Sequence, residues 1–219
     1  MRPEEAEWIG GWLSKAGDIS PLIELGSATQ RFRTVEQPHI DSLIHARLRD
    51  RGVQIVHTDL KAGEGVDISG NIYDAGVRAK LKAVGARCVL CCNIFEHVED
   101  RTGFAAICDD ILLPGGQMIV SVPHSYPYHR DPIDTYYRPK PDEIACLFPG
   151  YSTLVAKCLK CGSYWNDLDG AATIVKAIAK SAILRGGVDA SKARAHRLLW
   201  LFRPYQVSVA ALRKPGQAA

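Results

Sequence analysis

A chain of 219 residues with 47% hydrophobic content can bury one good core and is expected to form one domain over 1–219. No apolar run approaches the roughly 20 residues of a membrane span, and the acidic N-terminus lacks a signal-peptide core, so a cytoplasmic protein is expected. The net charge of +3 conceals an asymmetry, because residues 171–219 hold nine Lys and Arg against a single acid, Asp189, and the rest of the chain is net acidic.

Pro3 to Ala16 reads as an opening helix, with Trp8 and Trp12 one turn apart and Ile9 and Leu13 beside them. Pro21 to Leu25 is a short apolar strand that runs into a small-residue loop, Gly26 to Gln30. Ile40, Leu43, Ile44 and Leu48 form the next helical stripe, ending near Gly52, and Val53 to His57 makes a second strand with Asp59 at its carboxyl end. Gly65 to Ile72 reads as a third strand and Tyr73 to Val84 as the helix after it. The clearest unit follows. Val89 to Cys92 is a continuous apolar run, as expected of a strand buried on both faces. Phe104, Ile107, Cys108, Ile111 and Leu112 recur at helical spacing. Pro114-Gly115-Gly116 stops that helix, and Met118 to Val122 is a further strand. Asp142 to Phe148 is a short helix, Ser152 to Leu159 a sixth strand and Gln206 to Leu212 a seventh. Between those two strands, Ile174, Val175, Ile178, Ala182 and Ile183 make one helical stripe, and Lys192 to Phe202 a basic amphipathic one. Alternating strands and helices predict a doubly wound, mostly parallel seven-stranded sheet with helices on both faces. Ligands of such sheets sit at the carboxyl ends of the strands, which places Asn93 to His97 and the chain from His124 onward beside a cleft.

The wording of the central unit, CNIFEHVED followed by LLPGG and a strand ending SVP, resembles the class I S-adenosylmethionine-dependent methyltransferases, in the small-molecule group with an EHV-type motif after the fourth strand. The resemblance spans nearly the whole chain. It implies a Rossmann-like sheet whose seventh strand is antiparallel and inserted between the fifth and sixth. It also implies a cofactor, S-adenosylmethionine, held by Glu24, Gly26, Ser27 and Ala28 after the first strand, Asp59 and Leu60 after the second, Asn71 after the third, and Asn93, Glu96 and His97 after the fourth. In that family the first loop reads as an acid followed by GxGxG. This chain keeps Glu24 and Gly26 but has Ala28 and Gln30 at later glycine positions, and Ala28 is expected to resist the positive φ that glycine reaches freely. Arg31 and Arg33, which follow, read as surface arginines.

His124 to Pro139 is too polar and proline-rich for regular structure and is expected to be a substrate lid, extending over about 124–142. His124 or His129 is a candidate general base for a hydroxyl acceptor, with Asp131 or Asp134 orienting the imidazole, and the sequence does not choose between the histidines. No metal is expected there, since the crowded His and Asp residues match no established ligand geometry, and a purely structural loop held by its tyrosines is the alternative to the general-base reading. The expected reaction is O-methylation of a small molecule, a sugar or a glycoconjugate. A non-catalytic relative that binds a protein partner or a membrane surface through the basic region at about 171–203 is the alternative. Nucleic acid is disfavoured, because no DPPY-like or NPPY-like tetrapeptide follows the fourth strand. The seven cysteines fall mostly in predicted strands and helices and read as reduced core residues, Cys158 and Cys161 included.

Overall fold

The computed structural model describes residues 1–128, 133–166, 168 and 200–216. His129 and Asp131, the stripe from Ile174 to Ile183 and all but the end of the basic stretch Lys192 to Phe202 lie outside the described residues. Seven strands form one sheet: β1 (Leu22–Leu25), β2 (Ile55–Asp59), β3 (Ile68–Ser69), β4 (Ala86–Cys92), β5 (Leu112–Ser125), β6 (Ser152–Cys161) and β7 (Tyr205–Arg213). Their spatial order is β3-β2-β1-β4-β5-β7-β6. β7 is antiparallel to both neighbours, whereas β1 to β5 pair in parallel. The sheet therefore has the predicted architecture, including the inserted antiparallel strand.

Alternation along the strands builds a core on each face. In β4, Val89 and Cys91 face α4 (Ala75–Ala83) and α5 (Arg101–Ile111), together with Met118 and Val120 of β5. Cys88 and Leu90 face the other way, onto α1 (Pro3–Leu13) and α3 (Ala46–Asp50). Pro3 opens α1 at its first turn, where its missing amide hydrogen costs nothing. Gly10 lets α1 lie flat against the next helical layer, since a Cβ there would stand 1.8 Å from the Leu43 carbonyl oxygen. Asp100 caps α5 by accepting from the Gly103 amide at 2.9 Å. The segment after β5 leads into a five-residue helix, α6 (Pro141–Ala145).

Three elements differ from expectation. The stripe from Ile40 to Leu48 is not one α-helix. It runs from the end of a short helix α2 (Pro38–Ile40) through a π-turn at Asp41–His45 into α3, and an earlier π-turn at Phe32–Glu36 precedes it. The third strand shrinks to Ile68–Ser69, bounded by Gly65 and Gly70 at positive φ. Pro114-Gly115-Gly116 does not stop α5, which has already ended at Ile111; it loops out within β5, where pairing skips from Ala86–Leu112 to Cys88–Gln117. All seven cysteines are free. Cys158 and Cys161 lie three residues apart on β6, one exposed and one buried, so strand alternation turns them to opposite faces and they cannot share a metal. Among the described residues no helix is long and apolar enough to cross a membrane.

Candidate functional site

The loop after β1 is tied down from both sides. Gly26 takes φ 65° and Ala28 takes φ 55°, so Ala28 does adopt the left-handed conformation that a glycine would supply, at a cost of about 1 kcal/mol. Its surroundings enforce that conformation. The Ala28 amide donates to Asp59 Oδ2 at 2.9 Å, and the Ser27 amide donates to the Thr58 carbonyl at 2.9 Å. Arg33 is not a surface arginine but is buried beneath the loop, donating to the carbonyls of Ser27 (3.2 Å), Ala28 (2.6 Å) and Gly65 (2.8 Å). Asp59 Oδ1 accepts from the Lys61 amide at 3.0 Å. Each carboxylate oxygen has a second lone pair, so Asp59 keeps acceptor capacity toward the adjacent space.

That space is a cavity of about 770 Å³ at the carboxyl ends of β1, β2 and β4. Gly26, Ala28, Asp59, Leu60, Asn71, Asn93 and His97 all line it, so most of the residues selected from sequence as cofactor-binding converge. One end is polar, at the Gly26–Ala28 loop and Asp59. The other is apolar, walled by Ile68, Ile72, Val77, Leu81 and Phe104. Asn71 at the rim already accepts the Tyr73 amide through Oδ1 at 3.0 Å, an Asx turn that fixes its side chain. An apolar slot beside a carboxylate and small-residue backbone is the donor and shape set a nucleoside with an amino-acid tail requires, and no side chain of the altered loop fills it.

A second cavity of about 530 Å³ shares Asn93 and His97 with the first. Its floor is built by α1. Glu5 is buried there, accepting from Asn93 Nδ2 at 2.9 Å, from Ser121 Oγ at 2.5 Å and from the Arg2 amide at 3.0 Å. Asn93 itself sits at φ 54° directly after β4, which turns the chain into a 3-10 turn, Phe95–His97. Glu96 projects from that turn into the second cavity rather than the first. It has no solvent exposure, and among the described residues neither of its carboxylate oxygens has a hydrogen-bond partner. His97 Nε2, at 3.8 Å, is too distant to bond it. Burial pushes the Glu96 carboxyl up to about 8, opposed by its own backbone N–H and by Arg138 and helped by the nearby Glu5. The segment after β5 holds the turn in place: Thr135 donates through its amide and its hydroxyl to the Glu96 carbonyl, both at 2.9 Å, and His97 Nδ1 meets the Ile133 carbonyl. Tyr126 and Tyr128 complete the wall.

Glu24, Ser27 and His124 line neither cavity. The Glu24 side chain leaves β1 on the α3 face, where its Oε2 lies 2.7 Å from His57 Nδ1 and 3.1 Å from His45 Nε2. Burial pushes that carboxyl up, but attraction to His45 and His57 and the hydrogen bond with His57 outweigh it and hold it at about 2. His124 sits where the β5–β7 pairing is irregular, between Pro123 and Ser125, and its Nδ1 meets the Pro139 carbonyl at 2.9 Å instead of entering the second cavity that Pro123 lines. Asp134 is buried in a bidentate pair with Arg138, at 3.0 and 2.6 Å. Glu5 was not legible as a site residue. Only its buried position on an otherwise apolar helix face signals it.

The sequence matches no known family profile and no curated protein. Solved structures share its architecture. A SAM-dependent methyltransferase from Archaeoglobus fulgidus aligns at TM-score 0.54 and 10% identity, over 96% of this chain and 93% of that one. Coclaurine N-methyltransferase, bound to N-methylheliamine and SAH, aligns at TM-score 0.53 and 10% identity, over 93% of this chain and 70% of that one. The [4+2]-cyclase SpnF aligns at TM-score 0.53 and 11% identity, over 98% and 81%. The chain thus has the Rossmann-like fold of SAM-dependent methyltransferases. A cyclase carries the same fold, so the reaction has to be argued from the site.

Proposed function

We propose that the chain is an S-adenosylmethionine-dependent methyltransferase that methylates an oxygen of a small molecule, a sugar or a glycoconjugate held in the smaller cavity. The larger cavity takes the cofactor. Asp59 accepts the ribose hydroxyls, Ile72, Val77 and Leu81 cover the base beside Asn71, and the Gly26–Ala28 backbone faces the amino-acid end. When bound, the cofactor supplies an electrophilic methyl group on a sulfonium sulfur.

The observation that carries this reading is Glu96: a buried carboxyl without a hydrogen-bond partner among the described residues, in a cavity that adjoins the first through Asn93 and His97. An acceptor hydroxyl donates to Glu96 in the ground state and gives up its proton there as its oxygen attacks. A carboxyl raised to about 8 is a far better base than an ordinary one while still ionising near neutral pH. Glu5, fixed by Asn93 and Ser121, holds the cavity floor rigid, so positioning supplies much of the rate. This assignment gives the proton-acceptor role to Glu96 in place of the lid histidines.

Calorimetric titration with S-adenosylmethionine and S-adenosylhomocysteine tests the cofactor half. Binding in the micromolar range, about −8 kcal/mol, is expected, and Asp59→Ala should weaken it at least about tenfold, as loss of two hydrogen bonds to a charged group predicts. No binding of either ligand at millimolar concentration would remove the proposal.

A further inference from the structure

We propose that Glu24, His45 and His57 form a binding site for a divalent transition-metal ion, Zn²⁺ being the probe of choice, which staples β1, β2 and the π-turn Asp41–His45 together. Neither cavity contains these side chains, and the proposal is independent of the reaction assigned above.

The backbone brings the three residues together before any ion is considered. Glu24 and His57 are direct cross-strand partners in the β1–β2 register. His45 descends onto that pair from the second π-turn, and single π-turns inside helices frequently mark functional sites because they re-aim side chains. Glu24 Oε2 lies 2.7 Å from His57 Nδ1 and 3.1 Å from His45 Nε2, and the three ligand atoms all lie within 4.8 Å of one another. Tetrahedral donors bound to one ion at about 2.0–2.2 Å stand roughly 3.4 Å apart, so the set closes when the two rings approach each other and the Glu24 oxygen backs away from them by less than about 1 Å.

Without an ion, one buried ring nitrogen is left with no hydrogen bond among the described residues. His45 is 1% exposed, and its Nε2 stands in ion-pair range of Glu24 Oε2, 3.1 Å away, without making a hydrogen bond of good direction. An ion between the three takes up that nitrogen's lone pair. The outer contacts suit this as well. Asp41 Oδ1 lies 3.7 Å from His45 Nδ1 and is held by a bidentate pair with Arg49, at 2.8 and 3.0 Å. A carboxylate facing the far nitrogen would, if drawn within hydrogen-bond reach on metal binding, hold the tautomer that leaves Nε2 free to ligate. Two imidazoles and one carboxylate select zinc-class ions over Ca²⁺ or Mg²⁺, which require mostly oxygen. His57, the most exposed of the three, leaves the fourth position to water.

The test uses the full chain, stripped with a chelator and titrated with Zn²⁺ by calorimetry and with Co²⁺ by absorption spectroscopy. One equivalent of Zn²⁺, a raised melting temperature, and a Co²⁺ spectrum lacking thiolate charge-transfer bands are expected. Asp41→Asn should weaken Zn²⁺ binding about 10- to 100-fold, and His57→Ala should abolish it while the metal-free circular dichroism stays unchanged. Since Glu24 and His45 are core groups whose variants can unfold, the decision rests on His57→Ala and on the wild-type Co²⁺ spectrum. No uptake by the wild type, uptake retained in His57→Ala, or a thiolate band that assigns the ion to cysteines would each overturn the site.

Discussion

Glu96 joins two properties that are rarely found together, complete burial and an ionisable group without a hydrogen-bond partner among the described residues. Such a group persists when function requires it, and it leaves a signature in both rate and stability. Burial raises its carboxyl from 4.5 to about 8. Below pH 4.5 it is protonated folded or unfolded; between 4.5 and 8 the unfolded chain releases a proton that the folded chain keeps. The folded state then binds more protons, so stability falls as pH rises through that window and the loss levels off above 8. Glu96→Gln removes the titration, so melting temperatures followed from acid to alkaline pH should lose this component of the decline, with variant and wild type diverging most at the alkaline end. Turnover behaves oppositely, because only the ionised carboxylate accepts a proton. Activity should climb as pH approaches 8, and Glu96→Gln should lower it by about 10²- to 10⁴-fold at unchanged cofactor affinity. Parallel pH–stability slopes in the two proteins would contradict the assignment.

The loop after β1 gives a different lesson, because its shape is imposed by neighbours. Ala28 holds a positive φ only while Asp59 binds its amide and Arg33 its carbonyl. Arg33→Ala frees three carbonyls at once and should destabilise the chain by about 3 kcal/mol in denaturant titration. Arg33→Lys should recover little, since an ammonium cannot reproduce a fork that reaches Ser27, Ala28 and Gly65 together. Full recovery by lysine would reduce the clamp to a point charge. This loop also marks what a sequence can reveal. Glu24, Gly26 and Asp59 were placed correctly at strand ends, because apolar runs and turn residues specify where strands stop. The direction of each side chain was not legible. It depends on register, and one step along β1 separates Glu24 on the α3 face from Leu25 on the opposite one. The π-turn carrying His45 obeys helical periodicity and cannot be told from an α-helix by pattern alone. Glu5 meets Asn93 and Ser121 across 88 and 116 positions, a contact that only the closed fold creates.

Stability across the sheet follows from how each strand is paired and covered. β4 and β5 lie inside the sheet with apolar layers on both faces. β3 is an edge of two residues, paired only with β2 and flanked by glycines at positive φ. Part of the apolar wall of the larger cavity is nevertheless built there, from Ile68 and Ile72, with Asn71 at its rim. The proposed cofactor site thus places its base-binding end on the least secured element and its carboxylate on a strand held from both sides, Asp59 of β2. Local opening should be easiest where pairing is thinnest, so amides of residues 65–72 are expected to exchange with solvent hydrogen fastest among the strands. A ligand that binds only the closed arrangement suppresses that opening in proportion to its occupancy. Saturating S-adenosylhomocysteine should therefore slow exchange at 65–72 by about 100-fold when free ligand is 100 times its dissociation constant, with little change in β4 and β5. Protection of 65–72 equal to that of β4 without ligand would mean that the edge is not the yielding part, and slowing confined to β6 and β7 would put the ligand elsewhere.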